Sequence, residues 1–211
     1  MSEPSSSLII ELDASIAVIR FNRPAARNPL QSTTLNELTT AFSTMVADSS
    51  VDAIIFTGSD DVFASGADIR ELTTLDSSSA LEFSRAGQEL FQKIASARQT
   101  TIAAINGYCM GGALDLALAC DIRIASANAV FAHPGARLGI ITGWGGTQRL
   151  PRLIGKARAL EFFATARRLS SQEALEIGLI SQIQDPVLNA ALELGRHRLN
   201  KTGAGQKPGA C

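Results

Sequence analysis

Two kinds of apolar spacing alternate along the chain. Residues 8–12 and 16–21 are short runs rich in aliphatic and β-branched side chains, parted by Asp13-Ala14-Ser15, which predicts a β-hairpin. After the Arg23-Pro24 break, residues 30–46 bring Leu35, Leu38, Phe42 and Val46 together at helical spacing. A bounded apolar strand then follows over 53–56, closed by Thr57-Gly58. The pattern returns with a helix carrying Leu81, Ala86, Leu90, Phe91 and Ile94, for which Ser79 is the predicted cap, and an apolar strand over 101–105. A third pass predicts a helix over 112–120 and strands over 122–125 and 130–132. Crossovers that lie across a sheet imply mostly parallel strands buried on both faces. From Gly145 onward the spacing predicts helices over 146–153, 156–165 and 171–177, a last strand over 179–183 and one more helix over 189–199.

Composition narrows the picture. The 211 residues suffice for one packed core, and 45% apolar with 18% charged residues is a globular balance. Nineteen Lys and Arg against twenty Asp and Glu leave a net charge of −1, which disfavours nucleic acid and anionic membrane surfaces as partners. The apolar stretch over 101–127 is interrupted by Asn106, Asp115, Asp121 and Arg123 and so does not read as a membrane span. Cys109 and Cys120 lie in apolar runs and Cys211 is the last residue, a pattern that points to a reducing, cytoplasmic setting. Residues 1–7 read as a disordered N-terminus, 8–195 as the folded core, and 196–211 as a short disordered tail whose end is Gly, Lys and Pro.

Two glycine-containing segments follow predicted strands, Phe63-Ala64-Ser65-Gly66-Ala67-Asp68 and Asn106-Gly107-Tyr108-Cys109-Met110-Gly111-Gly112-Ala113-Leu114-Asp115. Small residues let backbone approach a ligand, and Gly112 at a helix start would offer a free N–H to developing negative charge. One amide from each loop would make an oxyanion hole. Asp115, three residues beyond Gly112, falls on the same helix face, and a carboxylate there suggests proton transfer. Taken alone, Gly111-Gly112 is equally read as close helix packing and Asp115 as a partner of the helix dipole.

These segments, with Phe21-Asn22-Arg23-Pro24-Ala25-Ala26-Arg27-Asn28 and Gly145-Gly146-Thr147-Gln148-Arg149-Leu150, resemble in order and spacing the motifs of the crotonase family, the enoyl-CoA hydratase and isomerase superfamily, over residues 8–183. The resemblance implies an α/β fold: a spiral of ββα repeats with mostly parallel sheets, followed by a C-terminal helical region that is shortened here. It implies an acyl-CoA substrate, with CoA held around Ala26, Ala64, Gly66, Asp68 and Arg70 and the thioester oxygen held by the amides of Ala67 and Gly112. It implies no cofactor beyond the CoA of the substrate, and a homotrimer or hexamer whose assembly the short C-terminus puts in question.

The departures bear on the reaction. The hydratases of the family use two glutamates, at the positions of Asp115 and Gly135. One carboxylate is therefore shortened by a methylene and the other absent. On this basis Asp115 is the principal acid/base group, and Gly135→Glu is expected to raise hydration by restoring a second holder of the attacking water. His133 admits two readings, the missing acid/base group or a structural histidine beside a proline turn. Trp144 is read as packing or as a wall of the acyl pocket. No metal-ligand spacing joins the cysteines and histidines. The expected function is that of an enoyl-CoA hydratase/isomerase-like enzyme of fatty acid metabolism, a lyase or isomerase acting through a stabilised enolate. The alternatives are a decarboxylase, a thioester hydrolase or an impaired acyl-CoA-binding protein on the same fold.

Overall fold

The computed structural model of the protein describes residues 6–201. A hairpin opens the chain, β1 (Leu8–Asp13) against β2 (Ile16–Phe21), and the short strand β3 (Pro29–Leu30) leads into helix α1 (Ser32–Ala47). Three turns of a spiral follow, each giving one strand to a large sheet, one to a small sheet, and then helix. The first turn is β4 (Ala53–Thr57), β5 (Val62–Ala64), the two-residue β6 (Gly66–Ala67), and helices α2 (Ile69–Leu72) and α3 (Ser77–Ser96). The second is β7 (Thr100–Ile105), β8 (Tyr108–Met110) and α4 (Gly112–Ala119), and the third begins with β9 (Ile122–Ala125), β10 (Val130–Ala132) and a 3-10 turn over Pro134–Leu138. Helices α5 (Gly146–Ile154) and α6 (Lys156–Thr165), strand β11 (Arg168–Ser170), helix α7 (Ser171–Glu176), strand β12 (Gln182–Ile183) and helix α8 (Val187–Lys201) complete it.

The large sheet has the order β1-β2-β4-β7-β9-β12 and the small one β11-β10-β8-β5, with β3 and β6 paired separately. Of these pairings β1 with β2 and β10 with β11 are antiparallel and the others parallel. Every residue of β4 is buried, because both faces of the large sheet are covered. Ala17, Ile19, Ile54, Phe56, Ala103 and Ile105 face the main core with α1, α3 and α4, while Ile16, Val18, Ala53, Ile55, Ile102 and Ala104 form a second core under Val187 and Ala191 of α8.

That second core moves the boundaries expected from composition. The line drawn at residue 195 falls inside α8, because the outer sheet face needs the helix: a β-carbon at Gly195 would lie 2.8 Å from Ile16 Cδ1, and Arg196 pairs with Asp13. At the other end Ser7 is buried and its N–H donates to Glu37 Oε2 at 2.9 Å. Residues 1–5 and 202–211 of the two stretches expected to be disordered lie outside the described residues. Ser79 is the third residue of α3, not its cap. Asp76 accepts from Ser79 N at 2.8 Å and Ser79 Oγ accepts from Asp76 N at 2.9 Å, a reciprocal box that starts the helix three residues earlier. The strand expected over 179–183 shrinks to β12, since Leu179 bonds back to Ala174 O (2.8 Å) around Gly178 and packs into the core.

Candidate active site

The two glycine loops meet at one edge of a cavity of about 350 Å³. Gly66 has φ +84° and Gly111 φ +54°, and the Gly111 N–H donates to Ala132 O at 2.8 Å, which anchors the entry to α4. Gly112 is the first residue of that helix, where amides have no acceptor within the helix. The loops touch: a β-carbon at Gly66 would lie 2.7 Å from Gly112 N, and one at Gly112 would lie 3.5 Å from Ala67 N. Ala67, Gly112 and His133 line the cavity, with an apolar wall from Ile69, Leu72, Leu75, Phe83 and Trp144. The two residues expected as oxyanion donors are thus side by side.

Asp115 is one step behind the cavity. It is 0% exposed and is not among the lining residues, whereas His133, 3% exposed, is. His133 Nε2 lies 2.9 Å from Asp115 Oδ1, and the Thr142 hydroxyl donates to Oδ2 of the same carboxylate. Among the described residues His133 Nδ1 has no hydrogen-bond partner, so it is the ring atom left for a substrate. Phe163 and Phe162 hold the ring, with centroids at 5.1 and 6.4 Å. The carboxylate has room to sit there because residue 146 is glycine: a β-carbon at Gly146 would collide with Asp115 Oδ1. Nearby groups feel its charge. Burial pushes the Cys109 thiol well up and Asp115 adds to this, while burial lowers Arg149 against the opposing pull of Asp115.

Sequence reasoning named Asp115 and His133 but did not pair them, and it missed Thr142, whose 27-residue separation from Asp115 carries no pattern. Gly135 lines the same cavity as His133. It is the second residue of the 3-10 turn, its carbonyl accepts from Ile140 N at 3.0 Å, and a β-carbon on it would lie 2.6 Å from Ile140 O. A side chain there would require the Ile140 carbonyl to shift.

The expected CoA set is spread more widely. Ala26 ends the 3-10 turn Pro24–Ala26, and its neighbours touch the second loop through Ser65 N to Arg27 O at 3.0 Å. Ala64 is fully buried in β5 and Gly66 is buried in β6. The Asp68 carboxyl is turned inward, accepting from Arg70 N at 2.9 Å as the cap of α2 and from Gln31 Nε2 at 2.7 Å. Burial raises its pKa, but the bonds from Gln31 and Arg70 outweigh this, leaving it below the usual carboxylate value. Arg70 projects outward with 85% of its side chain exposed. Asn28, with φ +49°, staples the loops: its Nδ2 donates to Val62 O and Phe63 O at 3.0 and 3.1 Å, and its Oδ1 accepts from Arg23 N at 2.7 Å. Among the described residues no three His, Cys, Asp or Glu side chains gather as a metal site, and no helix is long and apolar enough to cross a membrane.

The model of the enoyl-CoA hydratase/isomerase family matches residues 11–205. The chain is 39% identical over 192 residues to a short-chain-enoyl-CoA hydratase of Clostridium acetobutylicum, covering 90% of this chain and 74% of that one. It is 41% identical over 181 residues to a crotonyl-CoA hydratase of Syntrophomonas wolfei, covering 85% and 70%. Among solved structures, Pseudomonas aeruginosa DspI superposes with TM-score 0.88 at 34% identity, covering 95% and 83% of the two chains. An enoyl-CoA hydratase from Bacillus anthracis superposes with TM-score 0.87 at 33% identity, covering 91% and 76%. The sheet order, the paired loops and these likenesses agree: the chain belongs to the enoyl-CoA hydratase/isomerase family, and its fold is the crotonase fold.

Proposed function

We propose that the protein is a hydratase-type lyase acting on an enoyl-CoA thioester, with the thioester oxygen held by the amides of Ala67 and Gly112 and a single proton carrier, His133, held in place by Asp115. The supporting observation is the His133–Asp115 contact of 2.9 Å at the wall of the cavity those amides edge. In hydration, water adds its oxygen to Cβ while His133 takes a proton from it. The Cα–Cβ π pair becomes a double bond from Cα to the carbonyl carbon and the carbonyl π pair moves onto the thioester oxygen, giving an enolate that the two amides stabilise, and His133 then returns the proton to Cα. Asp115 stays charged and stabilises the imidazolium that forms between the two transfers. CoA enters as part of the substrate, and no separate cofactor takes part.

The dyad also favours a second reading, thioester hydrolysis, in which the same imidazole directs water to the carbonyl carbon and thiolate leaves. Crotonyl-CoA separates the two readings. Loss of conjugated-enoyl absorbance without free thiol is the hydratase outcome, thiol release is the hydrolase outcome, and neither, with binding retained, leaves an acyl-CoA-binding protein. A carbonyl-13C label in an unreactive ester should move downfield on binding if the two amides polarise it, and an unmoved resonance in the complex would remove the oxyanion assignment. Arg70 is the exposed cation of the CoA set and is assigned to CoA phosphate. Assembly into trimers or hexamers and residence in a reducing, cytoplasmic compartment complete the proposal, and light-scattering mass tests the former.

A further inference from the structure

Trp144 is the sole tryptophan of the chain and is only 3% exposed. Its indole is lodged between two helices: the pyrrole edge lies against Gly87 of α3 and the six-membered ring against Gly112 of α4, so closely that a β-carbon at either glycine would collide with it. The indole N–H donates to Phe83 O at 3.2 Å, and the rings of Phe83 and Phe91 flank it with centroids at 5.1 and 5.6 Å. Its backbone is fixed too, since Gln88 Nε2 donates to Gly143 O at 2.6 Å and Arg149 Nη1 to Trp144 O at 3.1 Å.

Trp144 lines the cavity with Ala67, Gly112 and His133. It also lines an open groove of about 920 Å³ between α3 and α5, whose polar walls include Gln92, Lys93 and Arg152. Thr142, Gly143 and Trp144 line both, and of the three only Trp144 is bulky. A thioester carbonyl at the Gly112 amide would therefore have a closely packed indole beside it, at a residue the cavity shares with the groove. Two glycines in two helices are needed to seat that one ring, which makes the wall a built feature and not an incidental contact.

We infer that Trp144 is the partition that ends the acyl pocket, restricting the protein to short acyl-CoA esters, and that removing the indole joins the cavity to the groove and admits long ones. The inference rests on the acyl-CoA reading above. The test is calorimetric titration of the full chain with saturated butyryl-, octanoyl-, lauroyl- and palmitoyl-CoA, for wild type, Trp144→Ala and Trp144→Phe. Wild type should bind the four-carbon ester at least about tenfold more tightly than the twelve-carbon ester, and butyryl-CoA, but not free CoA, should change the emission of the single tryptophan. Trp144→Ala should shift the twelve- to four-carbon affinity ratio about tenfold or more toward the long ester, and Trp144→Phe, which keeps a packed ring, should shift it part of the way. If no ester binds wild type, the acyl-CoA reading fails and this inference with it. If esters bind but wild-type affinity is flat or rises through sixteen carbons, or a folded variant keeps the wild-type ratio, the partition is refuted while the acyl-CoA reading stands. The wild-type profile alone decides the matter should neither variant fold.

Discussion

Replacing Asp115 by Asn tests the proposed dyad with little change in shape. The carboxylate now accepts from two sides, from His133 Nε2 and from the Thr142 hydroxyl, and it is fully buried. An amide offers one accepting oxygen and one donating NH2. If the NH2 faces His133, the ring must accept at Nε2 and carry its proton on Nδ1, which turns the atom proposed to take the substrate proton into a donor. If the NH2 faces Thr142, the hydroxyl must accept instead, and the ring keeps its tautomer but loses the negative charge that stabilises its protonated form. A unit charge about 4 Å from the imidazolium centre is worth about 4 kcal/mol at an effective dielectric constant of about 20. At roughly 1.4 kcal/mol per factor of ten, that is close to a thousandfold in rate, inside the range of about 10²- to 10⁴-fold typical of general acid–base catalysis.

The assay is crotonyl-CoA turnover on Asp115→Asn, His133→Ala and Thr142→Val, with thermal unfolding measured in parallel. Asp115→Asn should lose about a thousandfold in kcat with KM changed little, because no wall of the cavity moves. It should also retain a cooperative unfolding transition, since the change removes a buried charge while the amide can still bond to His133 and Thr142. A purely structural carboxylate would behave the other way, lowering Tm while leaving kcat of the folded fraction intact. A folded Asp115→Asn protein within about threefold of wild type would refute the dyad.

Other outcomes follow from single contacts. Arg70→Ala should raise KM for CoA esters without lowering kcat, and the increment should shrink at high salt, as an exposed phosphate contact requires. Asn28→Ala removes three hydrogen bonds and a residue tolerant of φ +49°, so Tm should fall, with a stability loss of about 1–3 kcal/mol or more for the buried groups left unpaired. The folded pKa of Asp68 is depressed, so its stabilising contribution is full above the ordinary carboxylate value of about 3.9 and fades as pH falls through the lower folded value. The Tm deficit of Asp68→Asn should accordingly be present at neutral pH and close in strong acid.

The large sheet was legible because its strands are four to six residues long apart from the terminal β12, and strongly apolar, and because Thr57-Gly58 and Asn106-Gly107 punctuate them. The small sheet was only partly legible. β5, β8 and β11 have three residues each, too few to show a period, and β11 exists because it pairs with β10 from 38 residues away. Helix α8 was legible as a helix over 189–199, but its place against the sheet was not. What makes it integral is the outer sheet face of Ile16, Ile55 and Ile102, which strand periodicity does not distinguish from the inner one when both are apolar. The site divides in the same way. Ala67 and Gly112 could be named from their motifs, but the Asp115–His133–Thr142 contact closes over 18 and 27 residues and depends on Gly146 supplying space, which no local pattern encodes.

That dependence bears on the paired-glutamate expectation. If Asp115 and Gly135 were merely depleted versions of two glutamates, installing both with Asp115→Glu and Gly135→Glu would restore a water clamp and raise hydration. The contacts argue the reverse. A longer side chain at 115 must push its carboxylate into space held by Gly146 Cα, the Thr142 hydroxyl and the His133 ring, and a side chain at 135 begins with a β-carbon 2.6 Å from Ile140 O, in the turn that follows His133. Overpacking of this kind costs about 1–3 kcal/mol per site, and here the strain falls on the two segments that aim the imidazole. Asp115, His133 and the glycines at 135 and 146 are a mutually fitted set, in which the shorter acid is withdrawn and the histidine is brought forward. The double variant should therefore hydrate crotonyl-CoA at least about tenfold more slowly than wild type, as a misplacement of about 1 Å would require. Each single variant should also fall below wild type. A double variant faster than wild type, with a comparable Tm, would show that the carboxylate positions are open after all and that His133 is a bystander.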